Sequence, residues 1–269
     1  MKVFAINNEE TKQTIGYLFH YEKVNDYIIE LDDALDEWSA PLLFMGLVKK
    51  GIYTVPKDLS KLWVEGRVIP SGRQNIGLIL KNAGMKEYNE AKLLKASKGK
   101  CSQDSDYVKE MKASELPDWV KNRQKDNIKD CFWSTDDTLL LLCADDTVRQ
   151  ITTRDLIVCN PKVETFQKNQ RILNTVKVDV GGYGIIFNGS IGVAKKHLLE
   201  KADVLPIKAS SFYSYARNNV LSTSEACESL GFTRQNLSYL SKTEALKPIK
   251  EGTRENLFLK GDIDRVGWG

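Results

Sequence analysis

Residues 221–242 read LSTSEACESLGFTRQNLSYLSK, and the punctuation of this stretch decides how the C-terminal part of the chain folds. Ser222 followed by Glu225 is an S-x-x-E capping box. The serine hydroxyl accepts a backbone N–H of the first turn, while the glutamate reaches back to the serine N–H. A helix therefore starts here. Ala226 and Leu230 lie four apart on one face, and Gly231 suits the left-handed backbone that closes a helix. Thr233 then caps a second helix beginning at Arg234, with Leu237 and Leu240 inward and Arg234, Gln235, Asn236, Ser238 and Tyr239 outward.

Two short helices joined by a glycine-containing turn follow the helix-turn-helix plan, in which the second helix enters the major groove. The outward residue types suit that task. Arginine pairs with guanine O6 and N7, and Gln or Asn with adenine N6 and N7, while Ser, Tyr and Lys242 hold phosphates. The next stretch, ALKPIKEGTRENLFLKGDIDRV, reads as a β-hairpin whose turn near Gly252 is rimmed by Lys250 and Arg254, before a last helical turn capped near Asp262. With this wing, residues 220–266 resemble the winged helix-turn-helix of MerR-type regulators and excisionases. The alanine, Leu-Gly, Arg, Leu and terminal Asp-Ile fall at the family's places. The resemblance implies a sequence-specific duplex-DNA-binding protein, a transcriptional regulator. Its expected contact set is Thr233, Arg234, Gln235, Asn236, Ser238, Tyr239, Lys242, Lys250 and Arg254, with sequence readout on Arg234, Gln235 and Asn236 and phosphate or minor-groove contacts on Lys250 and Arg254.

Charge does not announce nucleic acid by itself, since the whole chain carries only +3. Arg217, Arg234, Lys242, Lys247, Lys250 and Arg254 against Glu225, Glu228, Glu244 and Glu251 leave about +2, a thin electrostatic footprint. The second reading is accordingly a protein-interaction adaptor, antitoxin-like, whose helical hairpin packs against a partner.

Further upstream, TLLLLCADDTVRQITTRDLI, VKVDVGGYGIIFN and SIGVAKKHLLEKAD predict a second unit over 128–205. It should contain a strand, an Asp-Asp turn, a strand with Val148 and Ile151, a helix capped by a residue such as Thr153, a hairpin turning at Gly181 and Gly182, and a helix in which Val193 and Leu198 or Leu199 share a face. This order resembles a small bacterial α+β domain family of unknown function, which has an aromatic residue, usually Trp, near Phe187. At the N-terminus, IGYLFHY and DYIIELD read as a hairpin. QNIGLILKNAGMKEYNEAKLLKASKGK reads as two short helices broken at Asn82–Gly84 and closed by Gly99. The succession of strand pair, A-P-L, helix and Leu-Leu resembles the N-terminal subdomain of HipA-type toxin kinases, which implies a packing and partner-contact module over residues 1–105. Residues 101–127, polar and holding Pro117, read as an inter-domain connection. The expected fold class is α+β, multi-domain, with small α+β units at 1–105 and 128–205 followed by a winged helix-turn-helix at 218–266.

Little else points to chemistry. The five cysteines are scattered without a C-x-x-C pair, so neither zinc nor a disulfide framework is expected, and His20 and His197 are the only histidines. GGYG at 181–184 lacks the context of a phosphate cradle and reads as a turn, as do Asp136, Asp137, Asp145 and Asp146. WVKNRQK reads as a solvated helix face or linker. No catalytic residue, cofactor or metal is expected, and the protein reads as a non-enzyme. No membrane segment or signal peptide is legible, so the expected location is the cytoplasm. A single helix-turn-helix contacts one half-site, and the chain ends at Gly269 with no length for a dimerising helix after the wing. A homodimer built upstream of residue 210, or a protein partner held there, is therefore expected.

Overall fold

The computed structural model describes residues 1–135 and 137–268, and the backbone alone at Trp268; Asp136, one of the expected turn aspartates, lies outside the described residues. The chain divides into two compact units, 1–125 and 126–269. Both mix helices with sheets, and every strand pair in them is antiparallel, which makes the fold α+β.

The first unit runs β1 (Lys2–Asn8), β2 (Thr14–Tyr21), β3 (Asp26–Leu31), α1 (Met45–Val48), β4 (Thr54–Val55), α2 (Lys57–Glu65), α3 (Ile76–Asn82), α4 (Glu90–Ser97), β5 (Asp106–Met111), a 3-10 turn and α5 (Asp118–Gln124). The predicted hairpin is β2–β3, in register Leu18↔Ile29, with Asn25 supplying the positive φ of its turn. Helices α3 and α4 occupy the two predicted helical stretches, separated by the left-handed Gly84. Phe4, Leu18, Ile29, Leu31, Phe44, Trp63 and Leu94 form the core. Burial of each such side chain contributes about 1.5–3 kcal/mol.

The boundary between the units, at 125/126, falls within the predicted connecting stretch 101–127, but most of that stretch belongs to the first unit. It supplies β5, which pairs with β1 and completes the sheet order β4-β3-β2-β1-β5. Arg67 is buried over the Trp63 ring, 3.7 Å from its centroid, and pairs with Asp104 at 2.5 Å and Asp106 at 3.5 Å. The WVKNRQK run forms α5 and its C-cap with Lys121, Asn122 and Lys125 exposed, as a solvated helix face should be, while Arg123 turns inward and donates to Glu30 Oε2 at 2.7 Å and to the Leu31 carbonyl at 2.9 Å. Only Val108 and Met111 are aliphatic in this strand, and its partner lies about a hundred residues away, so neither periodicity nor propensity could place it.

The second unit begins with β6 (Ile128–Trp133), β7 (Thr138–Cys143), β8 (Thr147–Thr152), α6 (Thr153–Cys159), a 3-10 stretch, α7 (Gln170–Leu173), β9 (Lys177–Val178), β10 (Gly184–Phe187), β11 (Ile191–Ala194), α8 (Lys195–Lys201), β12 (Asp203–Lys208) and α9 (Ala209–Asn219). The sheet orders are β12-β8-β7-β6 and β11-β10-β9. Alternation along β7 serves two cores: Leu139 and Leu141 face the cluster of Leu156, Phe166 and Phe187, while Leu140 and Leu142 face Val148 and Ala209. The cap of α6 is Thr152, one residue before the expected Thr153, its side chain accepting from the Asp155 N–H at 3.2 Å. Val193 lies on β11 and not on the helix, which starts two residues later; the short β turn at Asn188 and Gly189 folds that segment back onto β10. Gly181 and Gly182 have φ of 68° and 79° in the turn before β10. A side chain at Gly182 would meet the Ile128 carbonyl at 2.5 Å, so the GGYG stretch serves close packing. Asp146 likewise has a structural role, accepting from the Ser210 N–H at 2.7 Å and hydroxyl at 2.9 Å where α9 begins.

Candidate nucleic-acid interface

Beyond α9 the chain continues through β13 (Val220–Ser222), α10 (Thr223–Leu230), α11 (Arg234–Lys242), β14 (Leu257–Leu259) and α12 (Lys260–Trp268). The expected capping box is present: Ser222 Oγ accepts from the Glu225 N–H at 3.3 Å, and Glu225 Oε2 accepts from the Ser222 N–H at 2.7 Å. These bonds hold the Glu225 carboxyl below the ordinary glutamate range, the Ser222 backbone N–H contributing most. Gly231 has φ of 65°, and the Phe232 N–H reaches back to the Cys227 carbonyl at 2.9 Å, the 6→1 bond of a Schellman end. Thr233 Oγ1 accepts from the Asn236 N–H at 3.3 Å and opens α11.

Leu237, Ala226, Phe258, Ile263 and Leu246 make the core beneath both helices, with Leu230 and Leu240 at its margin. Thr233, Arg234, Gln235, Asn236, Ser238, Tyr239 and Lys242 are all exposed, and so are Lys250 and Arg254. Exposure alone does not make them equivalent. Successive helical residues are rotated by roughly 100°. Opposite the buried edge of Leu237 and Leu240 therefore stand Gln235, Ser238, Tyr239 and Lys242, spaced i, i+3, i+4 and i+7, with Tyr239 67% exposed. Arg234 and Asn236 fall on opposite flanks of that row. Thr233 is committed to its cap.

The stretch after α11 differs from the expected wing. β14 forms its ladder with β13, in register Leu221↔Phe258, and the hairpin partner before it is reduced to a single bridge between Lys250 and Leu257. Pro248 withholds an N–H there, and Gly252 and Asn256 draw the loop into its own bond, Gly252 N–H to Asn256 Oδ1 at 3.2 Å. The closing helix α12 spans nine residues from Lys260, longer than the single turn expected at Asp262.

Two residues absent from the expected set join these parts. The Arg234 guanidinium donates to Ser224 Oγ at 2.7 Å, and Glu255 Oε1 accepts from the Ser224 hydroxyl and N–H, both at 3.3 Å. Asn256 and Thr223 exchange bonds beside them, at 3.1 and 3.0 Å. Ser224 and Glu255 are 31 positions apart and neither belongs to a motif, so no sequence signal reveals them. Counting Glu255, Lys260, Asp262, Asp264 and Arg265 as well lowers the local balance from about +2 to about +1. No helix of the described residues is long and apolar enough to cross a membrane.

No known protein family, curated protein or solved structure matches the chain.

Proposed function

We propose that residues 220–268 bind duplex DNA in a sequence-specific way and that the protein is a cytoplasmic, non-enzymatic transcriptional regulator of the winged helix-turn-helix kind, resembling MerR-type regulators. The observation that carries this reading is the row Gln235, Ser238, Tyr239 and Lys242 on α11. It is fully outward and held rigid by two capped helices over one small core, and it combines an adenine-reading amide with hydroxyl and ammonium groups for phosphates. Lys250 and Arg254, exposed on the loop beyond, extend the basic edge toward a neighbouring backbone. Selection of bound sequences from a random duplex pool with the full chain tests the reading. Enrichment of one motif is expected, and recovery of no motif together with no retention at low salt rejects it.

A near-neutral charge balance and the exposed Phe232 and Ile249 favour the alternative, an adaptor whose hairpin packs on a protein partner. The same selection separates the two, because an adaptor enriches nothing.

A further inference from the structure

Resting on the DNA-binding reading and deepening it, we infer that Glu255 is an internal competitor for a DNA phosphate, an autoinhibitory contact that Ser224 and Arg234 release when the backbone of the cognate duplex arrives. The donors gathered here are a main-chain N–H in the first turn of α10, a hydroxyl and a guanidinium behind that hydroxyl. These are donor types that phosphate oxygens accept from in protein–DNA contacts, and a carboxylate oxygen answers the same donors. Glu255 is positioned for this and not placed by chance flexibility. Its neighbour Asn256 is bonded twice to Thr223, which fixes this end of the loop on the start of α10, and a side chain at Gly252 would strike the Glu255 carbonyl at 2.2 Å, so the loop also closes tightly on itself. The carboxylate thus sits where the first turn of α10 meets the start of α11, on a surface whose charge is already almost balanced. An approaching phosphate must displace it. Random DNA, which offers only phosphates, gains little by that exchange, whereas a duplex that also satisfies the α11 row recovers the cost through base contacts. Glu255 therefore raises specificity by weakening the non-specific state.

The test compares the full chain, Glu255→Gln and Glu255→Asp on a random-sequence duplex across a salt series, with melting curves to verify folding. Gln removes the charge in place; Asp keeps the charge but falls one methylene short of Ser224. Glu255→Gln is expected to bind about tenfold tighter, with a salt slope steeper by about one phosphate contact, and Glu255→Asp to fall between the two. If the Gln variant melts early, Glu255→Asp alone carries the same reading. Unchanged affinity in both variants while the parent chain binds DNA overturns the competitor and leaves the DNA reading intact. Tighter binding with an unchanged slope also overturns it, since no new phosphate has then been seated. Failure of all three proteins to bind at low salt removes the DNA reading and the competitor together.

Discussion

The Arg234 guanidinium donates to the Ser224 hydroxyl at 2.7 Å, so the first residue of the outward helix is tied to the helix before it and not extended into solvent. In the proposed docking of α11 in the major groove, an arginine held this way stands beside the groove, where phosphates lie, and its neighbour Gln235 heads the row that faces outward. Arg234→Ala is therefore expected to weaken binding equally on cognate and unrelated duplexes and to lower the salt slope by roughly one unit. Gln235→Ala is expected to cost about 1–3 kcal/mol at the cognate site and to relax preference at one base pair. Competition assays on both duplexes decide this. A base-specific loss for Arg234→Ala returns the readout to the flank.

Lys250 and Arg254 lie on either side of Gly252 in a loop anchored by the Lys250–Leu257 bridge, and both side chains are exposed. Replacing both with Ala should reduce the salt slope by roughly one unit for each phosphate that the loop no longer neutralises, while leaving the selected motif unchanged. Filter binding against salt measures this directly. A slope that does not move takes the loop out of the interface.

What the sequence made legible follows from how far each signal reaches. The capping box at Ser222 and Glu225, the left-handed Gly231 and the Thr233 cap are local chemistry within four residues, and each stands in the structure where the pattern placed it. The β2–β3 hairpin and the turn at Gly181 and Gly182 were legible for the same reason. What failed needed distant partners. β5 exists through β1, β14 took β13 in place of the chain just before it, and Ser224 meets Glu255 across the fold. Val193 misled because an apolar residue two positions before a helix fits the helical period as well as it fits a strand.

His20 is 4% exposed, stacked on Tyr27 with ring centroids 4.6 Å apart, and its Nε2 lies 3.1 Å from Asn25 Oδ1. Burial pushes its titration below the ordinary 6.5. The unfolded chain thus takes up a proton that the folded chain resists. Stability contributed by neutral His20 is complete above the ordinary value, falls as pH drops below it, and stops falling once the depressed folded value is passed. Melting temperatures of the full chain and of His20→Phe, compared between about pH 7.5 and about pH 5, should converge toward acid as the variant escapes this penalty. Parallel curves would show that His20 titrates normally.

The first unit exposes two large apolar side chains on one loop. Trp38 is 85% and Leu42 84% exposed, and the loop that carries them is fixed by Asp36, whose Oδ1 accepts from the Trp38 N–H at 3.0 Å and from the Ser39 N–H at 2.8 Å. Apolar side chains on an ordered loop lose little entropy when a second copy covers them, and tryptophan is the residue type most enriched among interface anchors. Under the proposed DNA-binding reading, a near-neutral surface gains from such pairing, because a linked second half-site raises the effective concentration of the first. The full chain is therefore expected to be a dimer by light scattering and to bind a palindrome cooperatively. Trp38→Ser combined with Leu42→Ser should give a monomer with an unchanged melting midpoint at high dilution, because neither side chain belongs to the core. The same double variant should lose cooperativity on the palindrome while keeping its affinity for a single half-site. A parent chain that is monomeric at all concentrations, or a double variant that still dimerises, would refute this assignment of the dimer face.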